Sequence, residues 1–297
     1  MSEWIHTASR QLPAPPAAVY LAWTDAERLE RWFAEHVAID VRPGGAYQFW
    51  GRHTYGVPDR ARATQRLLRV ERDTALAFEW NWAGLPSTVT ISLRSALRAT
   101  AGAGQTALTL EHRFANLPSG SRASELVDDW WRMSFGNLDA FLRGGDGLLR
   151  PDFSDPKPRV ELSIVLDAPR ERVFAALMDP QTMNQWIATS ARVEPRVGGV
   201  YSFGWTYAIG DRQVTGGPTR ILELVPNERL VTDWPDWRGD PSAPPTTVTW
   251  VLESVGDKTR LTLIHGGFAR VADLSDYPHG WQAFLEKLRA FVWQATR

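Results

Sequence analysis

Alternation of apolar and polar positions organises most of this chain. The stretch "VELSIVLDA" puts Val160, Leu162, Ile164 and Leu166 on one face of an extended segment, the period of a half-buried strand. The same period of two runs through 46–55, 61–70, 74–82, 87–95 and 106–114, with Gly or Pro between most of them, and each predicts a strand. The period then changes. Over 122–143, Trp131, Phe135, Leu138 and Leu142 recur at i, i+4, i+7 and i+11, and Trp281, Leu285, Leu288 and Val292 repeat this over 277–295. Each run predicts a helix of about 20 residues, roughly 30 Å long, with one apolar stripe. Two short helices are predicted ahead of the strands, one opened by Pro16 and one over 25–33 with Asp25 as its N-cap.

The pattern occurs twice. "RPGGAYQFWG" starts at residue 42 and "RVGGVYSFGW" at residue 196, an offset of 154. At that offset Leu12, Ala14, Pro15, Val19, Trp32, Leu76 and Trp80 fall on Leu166, Ala168, Pro169, Val173, Trp186, Leu230 and Trp234. Beyond a loop of different length, "STVTISL" (87–93) matches "TTVTWVL" (246–252) and "TALTLEH" (106–112) matches "TRLTLIH" (259–265). Units this long are complete domains rather than solenoid repeats. The boundaries expected are 1–143 and 159–297, joined by a Gly-, Pro- and Asp-rich linker at 144–158 in which only Leu148, Leu149 and Phe153 could dock on a neighbour. One strand, two small helices, a run of antiparallel strands and one long amphipathic helix make an α+β architecture in each domain. The sheet must curl around the long helix to bury its stripe, which leaves room for a cavity between them.

Composition narrows the function classes. The 297 residues carry a formal net charge of −1 without long runs of one sign, so there is no electrostatic footprint for nucleic acid. The absence of cysteine excludes disulfides, thiolate nucleophiles and Cys-ligated metals. No apolar stretch approaches the length of a membrane span, and the first residues lack a secretory pattern, so a cytoplasmic protein is expected. The six His form no i, i+4 pair, and no hydrolase, metalloprotease, phosphate-loop or dinucleotide motif occurs. "GAGQT" at 102–106 lies in a hairpin turn and leads into a strand, so it is no phosphate cradle. No metal or cofactor is expected. The outlier is tryptophan, with 15 in the chain.

The ordered set Pro15, Val19, Trp32, Gly44, Gly45, Tyr47, Phe49, Leu108, Leu110, His112 and Trp131 recurs as Pro169, Val173, Trp186, Gly198, Gly199, Tyr201, Phe203, Leu261, Leu263, His265 and Trp281. That order resembles the Hsp90-ATPase-activator-homologue domain of the helix-grip superfamily, which includes START and Bet v 1-like proteins. The resemblance implies a curved antiparallel sheet gripping the last helix, with a ligand cavity between them. Members of that superfamily bind lipids, cyclise polyketides, protect producers from enediyne antibiotics or touch a chaperone, so function has to be argued from the site.

Strand alternation says which side chains face together. In the first domain these are Tyr47 with Phe49, Phe78 with Trp80 and Trp82, Ile91, and Leu110 with His112, opposite Trp131 and Phe135 of the last helix. In the second they are Tyr201, Phe203 and Trp205, Trp234, Trp250, and Leu263 with His265, opposite Trp281 and Leu285. Any one of these aromatics reads as a core residue, but the set suggests pockets walled by aromatics for a large apolar ligand. His112 and His265, alone on apolar faces, read as satisfied core residues before they read as bases. His6 and Arg10 either give the first domain a polar end or reach solvent. Asp128 shares a helical face with Trp131 and is either a pocket acid or a first-turn Asp favoured by the helix dipole. The leading expectation is a binding protein for a hydrophobic small molecule (polyketide, polyene or lipid-like), in natural-product biosynthesis or self-resistance. The alternative is a cofactor-free cyclase or aromatase using Asp128, His112, His6 or Arg10. A third reading is a co-chaperone, for which the sequence offers no exposed apolar or strongly charged patch.

Overall fold

The computed structural model describes residues 3–96, 104–117, 123–145, 150–209, 211–239 and 243–294. It divides into two compact units, Met1–Pro156 with Val271–Asp276, and Lys157–Arg270 with Tyr277–Arg297. Unit 1 runs β1 (Trp4–Leu12), α1 (Pro16–Thr24), α2 (Ala26–Trp32), β2 (His36–Ile39), β3 (Tyr47–Trp50), β4 (Leu67–Glu71), β5 (Ala75–Trp82), β6 (Leu85–Ala96), β7 (Gln105–Phe114) and α3 (Ala123–Leu142). Unit 2 runs β8 (Val160–Leu166), α4 (Arg170–Met178), α5 (Pro180–Met183), β9 (Arg192–Val193), β10 (Tyr201–Ser202), β11 (Trp205–Ile209), β12 (Arg212–Gly216), β13 (Ile221–Val225), β14 (Arg229–Trp234), β15 (Thr246–Val255), β16 (Lys258–Gly266) and α6 (Tyr277–Gln294). Each unit holds a five-stranded antiparallel sheet of the same topology, β1-β7-β6-β5-β4 and β8-β16-β15-β14-β13. No helix among the described residues is long and apolar enough to cross a membrane.

The start signals act as expected. Pro16 sits in the first turn of α1, and the Asp25 carboxylate accepts the Arg28 N–H at 3.0 Å to cap α2. The duplicated ties are tertiary. Trp32 Nε1 donates to the Ala22 carbonyl at 2.9 Å and Trp186 Nε1 to that of Ala176 at 3.0 Å. The Tyr47 and Tyr201 hydroxyls donate to the carbonyls of Trp23 and Leu177 at 2.8 and 2.7 Å. The indole bonds tie the short helices to each other, and the tyrosine bonds fasten them to the strands that follow.

The predicted strands 46–55 and 61–70 are shorter in the structure, covering only Tyr47–Trp50 and, after a 3-10 turn at Arg60–Arg62, Leu67–Glu71. The missing part is backbone that turns at Gly51 (φ 111°) and Gly56 (φ 72°). The pairing of β2 with β3 went unpredicted because four residues carry too little periodicity. Residues 102 and 103 of the expected hairpin, the helix ends Arg122 and Ala295, and Leu148 and Leu149 lie outside the described residues. Phe153 docks on unit 1, its ring 5.6 Å from Tyr55 and 5.3 Å from Trp130, and Arg150 donates to the carbonyls of Glu30 and Ala34.

The repeated Gly-Gly has two distinct causes. Gly44 and Gly198 both have φ of 77°, the left-handed region that costs an L-residue about 1–2 kcal/mol. A Cβ on Gly45 would overlap the Asp40 carbonyl and lie 2.9 Å from that of Arg42, and one on Gly199 would meet the carbonyls of Glu194 and Arg196. Behind that turn, Gly44 N–H donates to Leu67 O and Leu67 N–H to Gly45 O, joining the turn to β4, and Gly198, Gly199 and Ile221 repeat the arrangement. Gly45→Ala is therefore expected to cost unit 1 about 3 kcal/mol, more than Gly44→Ala, because backbone has to shift rather than only adopt a strained φ. Urea midpoints of the two variants measure the difference.

Candidate functional site

The expected wall of unit 1 faces inward. Tyr47, Phe49, Phe78, Trp80, Trp82, Ile91, Leu110, His112, Trp131 and Phe135 are all buried. They touch one another: Tyr47 and Phe78 lie 4.7 Å apart, Phe49 and Trp80 5.1 Å, and Trp131 and Phe135 5.8 Å between ring centroids. In unit 2, Tyr201, Phe203, Trp234, Trp250, Leu263, His265, Trp281 and Leu285 are buried, and half-buried Trp205 stacks on Phe284 at 5.3 Å. A solvent-open pocket of about 620 Å³ in unit 1, lined in part by Glu79, Asn81, Thr88 and Arg113, belongs to the other side of the sheet.

Three rings that the strand pattern did not single out complete the interior of unit 1. Phe33, at the C-terminal cap of α2, lies 5.6, 6.1 and 5.9 Å from Trp23, Trp80 and Trp130. It also touches Trp32, Phe49 and Trp131. Trp23, Trp80 and Trp130 are each 1% exposed, and none of their indole N–H groups has an acceptor among the described residues. A buried unpaired donor costs about 1–3 kcal/mol, and folded interiors keep few of them. The only signal in the sequence was the aromatic density of "AWTDAERLERWF" and the doubled Trp130-Trp131.

The two core histidines have no such freedom. Trp131 Nε1 donates to His112 Nδ1 at 3.1 Å, His112 Nε2 lies 2.8 Å from Ser87 Oγ, and that hydroxyl donates to the Trp80 carbonyl at 2.9 Å. In unit 2, Trp281 Nε1 donates to His265 Nδ1 at 3.0 Å, His265 Nε2 lies 2.8 Å from Thr246 Oγ1, and Thr246 donates to the Trp234 carbonyl at 3.0 Å. The indole fixes Nδ1 as the acceptor, which assigns the proton to Nε2. Burial lowers the pKa of His112 well below its usual value and that of His265 to about 3. Neither ring has a lone pair to spare, so His112 leaves the set of candidate bases and is a structural residue.

The other three chemical candidates come together. His6 stands opposite His112 in the β1–β7 register and Arg10 opposite Leu108, so both face the interior side rather than the outside. Burial lowers the His6 pKa, with Arg132 and Arg10 acting in the same sense and Asp128 against them. Asp128 accepts from Arg132 Nε at 2.9 Å, and Arg132 lies 3.7 Å from Asp276. The Arg10 guanidinium lies over the Phe135 ring, 5.1 Å from its centroid. His6, Arg10, Asp128 and Arg132 thus form a half-buried polar seam where β1 meets α3.

The sequence matches the family model for Activator of Hsp90 ATPase homolog 1-like protein over residues 13–143 and again over 167–292. The chain belongs to this AHSA1-like family. A comparison with curated proteins gives no match. Among solved structures, the chain is similar to DynU16, a protein of the dynemicin biosynthetic locus, at 20% identity and a TM-score of 0.39 over 97% of this chain and 98% of that one. It is similar to CalU16 from Micromonospora echinospora at 26% identity and a TM-score of 0.37, over 46% of this chain and 74% of that one. An AHSA1-like protein from Rhizobium etli shows 31% identity and a TM-score of 0.36, over 46% of this chain and 82% of that one.

The two AHSA1-like domains share their scaffold and differ inside. Trp234 Nε1 donates to the Tyr277 hydroxyl at 3.0 Å, but Val127 stands at the matching place on α3, which leaves Trp80 without that acceptor. Where unit 1 has Trp23, Phe33 and Trp130, unit 2 has Leu177, Ile187 and Gly280. Where unit 1 has His6, Arg10, Asp128 and Arg132, unit 2 has Val160, Ile164, Pro278 and Gln282. Every unpaired donor around Phe33, and the whole polar seam, belongs to the first AHSA1-like domain.

Proposed function

We propose that the protein binds a hydrophobic small molecule bearing oxygen acceptors in the interior of unit 1, between the sheet and α3. One observation carries the reading: the indoles of Trp23, Trp80 and Trp130 pack around Phe33, and their N–H groups have no acceptor among the described residues. A carbonyl or hydroxyl on a flat or extended apolar body supplies what these donors lack, and the rings supply contact area. Polyketides and polyenes carry such oxygens along their frames, whereas a plain alkyl chain supplies area alone, so the biological setting that fits this ligand is natural-product biosynthesis or self-resistance. Because the rings touch, binding moves Phe33 and opens the cluster around it. Unit 2, in which the Trp186, Trp205, Trp234 and Trp281 indoles have acceptors and no fully buried indole N–H is left without a partner among the described residues, repeats the fold without this cluster of donors.

The test compares alizarin, a dihydroxylated anthraquinone, with anthracene, a hydrocarbon of the same frame, by quenching of Trp emission. The variant carrying Trp23→Phe, Trp80→Phe and Trp130→Phe keeps the aromatic rings and removes the N–H groups. Alizarin is expected to bind the native chain more tightly than anthracene and to lose about tenfold or more in the variant, one net hydrogen bond or better, with anthracene little changed. Equal losses for both molecules, or no quenching by either, would sink the reading. Steady conversion of the bound molecule would instead move the protein to the cyclase alternative, with His6 and Asp128 as its acid–base pair.

A further inference from the structure

The polar seam has no role in the scaffold that unit 2 does not fill with Val160 and Ile164. We infer that it is an acid-recognising mouth of the interior, in which Arg10 binds a single carboxylate at one end of the ligand. The inference rests on the binding reading above and specifies the ligand as amphipathic, an apolar body with one anionic end.

Arg10 is the unspent cation of the cluster. Arg132 is already engaged by Asp128 and faces Asp276. Among the described residues, the only hydrogen bond of the Arg10 guanidinium goes to the adjacent Ser9 carbonyl, at 2.8 Å, and it forms no ion pair within 4.0 Å. Arg10 is half-buried and lies over Phe135, so an ion met there is screened less than one at the open surface. The planar fork that remains suits a carboxylate, which it can hold through two parallel N–H groups. A phosphate dianion fits less well than a monoanion, since Asp128 and Asp276 together offset the charges of Arg132 and Arg10 and leave the seam neutral overall, with only the Arg10 fork to meet an incoming charge. His6 adds a second polar atom, since its Nε2 is buried and has no partner among the described residues.

The mouth is continuous with the interior. Phe135, under Arg10, packs on Trp131 at 5.8 Å, and Trp131 packs on Phe33 at 6.4 Å. A ligand whose acid meets Arg10 therefore lies along the helix with its body directed toward the three unpaired indoles. The family match begins at residue 13, so His6 and Arg10 lie on a strand ahead of the matched segment.

The experiment uses the full chain with cis-parinaric acid, a fluorescent tetraene acid, and its methyl ester, read by energy transfer from Trp. The acid is expected to bind at least tenfold more tightly than the ester. Arg10→Met, which keeps an apolar cover on Phe135, is expected to bring the acid down to the ester's affinity and leave the ester unchanged, with an unaltered urea midpoint reporting an intact fold. Equal affinity of acid and ester for the native chain, or equal weakening of both by Arg10→Met, overturns the mouth and leaves the binding site standing. Failure of both probes to bind the native chain overturns the mouth and the site beneath it together.

Discussion

Phe33→Ala is expected to lower the stability of unit 1 by about 3–5 kcal/mol, the range for removing a fully packed Phe from a core. Phe33 is 4% exposed and contacts six other rings, so its surroundings have little freedom to collapse into the space. The thermal midpoint of unit 1 should fall by about 10 °C, given the usual few degrees per kcal/mol for a domain of this size. The same substitution should expose the binding property. Acetophenone and α-methylstyrene share a shape, but only the ketone can accept from an indole N–H. Both should raise the midpoint of the variant through preferential binding to the folded state, and acetophenone should raise it more. Ile187→Ala makes the matching hole in unit 2, where no fully buried indole N–H lacks a partner among the described residues, and should show no preference for the ketone. If acetophenone holds no advantage in Phe33→Ala, the indole donors do not face the space that Phe33 occupies.

Acid should destabilise both units well before their carboxylates titrate. His265 folds as a neutral ring whose pKa burial has lowered to about 3, against about 6.5 for an unfolded His. Between those values the unfolded chain binds a proton that the folded unit refuses. The stability that the neutral ring represents is therefore complete above pH 6.5 and is lost as the pH falls toward 3. At pH 5 the loss is about 2 kcal/mol in unit 2. His112, lowered in the same direction and chiefly by burial, imposes a similar loss on unit 1, to which half-buried His6 adds in the same sense. Urea midpoints at pH 7.5 and pH 5.0 measure the effect for each unit. His265→Gln can still accept from Trp281 and donate to Thr246, and it should remove the dependence in unit 2 over that window while leaving unit 1 unchanged. A native unit 2 equally stable at both pH values would mean that the ring protonates in place.

Much of the scaffold is written in local patterns. The period of two in the strands, the i, i+4, i+7 stripe of the last helix, Asp25 ahead of α2 and the Gly-Gly turn each describe a few neighbouring residues, and each has a direct backbone consequence. Because the patterns repeat at an offset of 154, the duplication and the α+β architecture were legible from residues alone. The inward direction of Tyr47, Phe49, Phe78, Trp80 and Trp82 follows from the same alternation.

Partnership was not legible, because a hydrogen bond is decided by which distant atoms meet. Trp80 and Trp234 are the same residue in the same strand of the repeat, yet Trp234 has the Tyr277 hydroxyl within 3.0 Å and Trp80 faces a helix with Val127 in that place. His112 read as a core residue before a base, and the indole on one side and the Ser87 hydroxyl on the other supplied the partners that the sequence did not name. His6 and Arg10 read as a polar edge or a solvated strand until β1 paired with β7 and set them on the helix side of the sheet. The sequence by itself determined two copies of one fold, because helix and strand periods are properties of neighbours along the chain. Only the tertiary structure decided how the interiors of the two copies differ, because the unpaired indoles and the unspent arginine are defined by what lies across the fold from them.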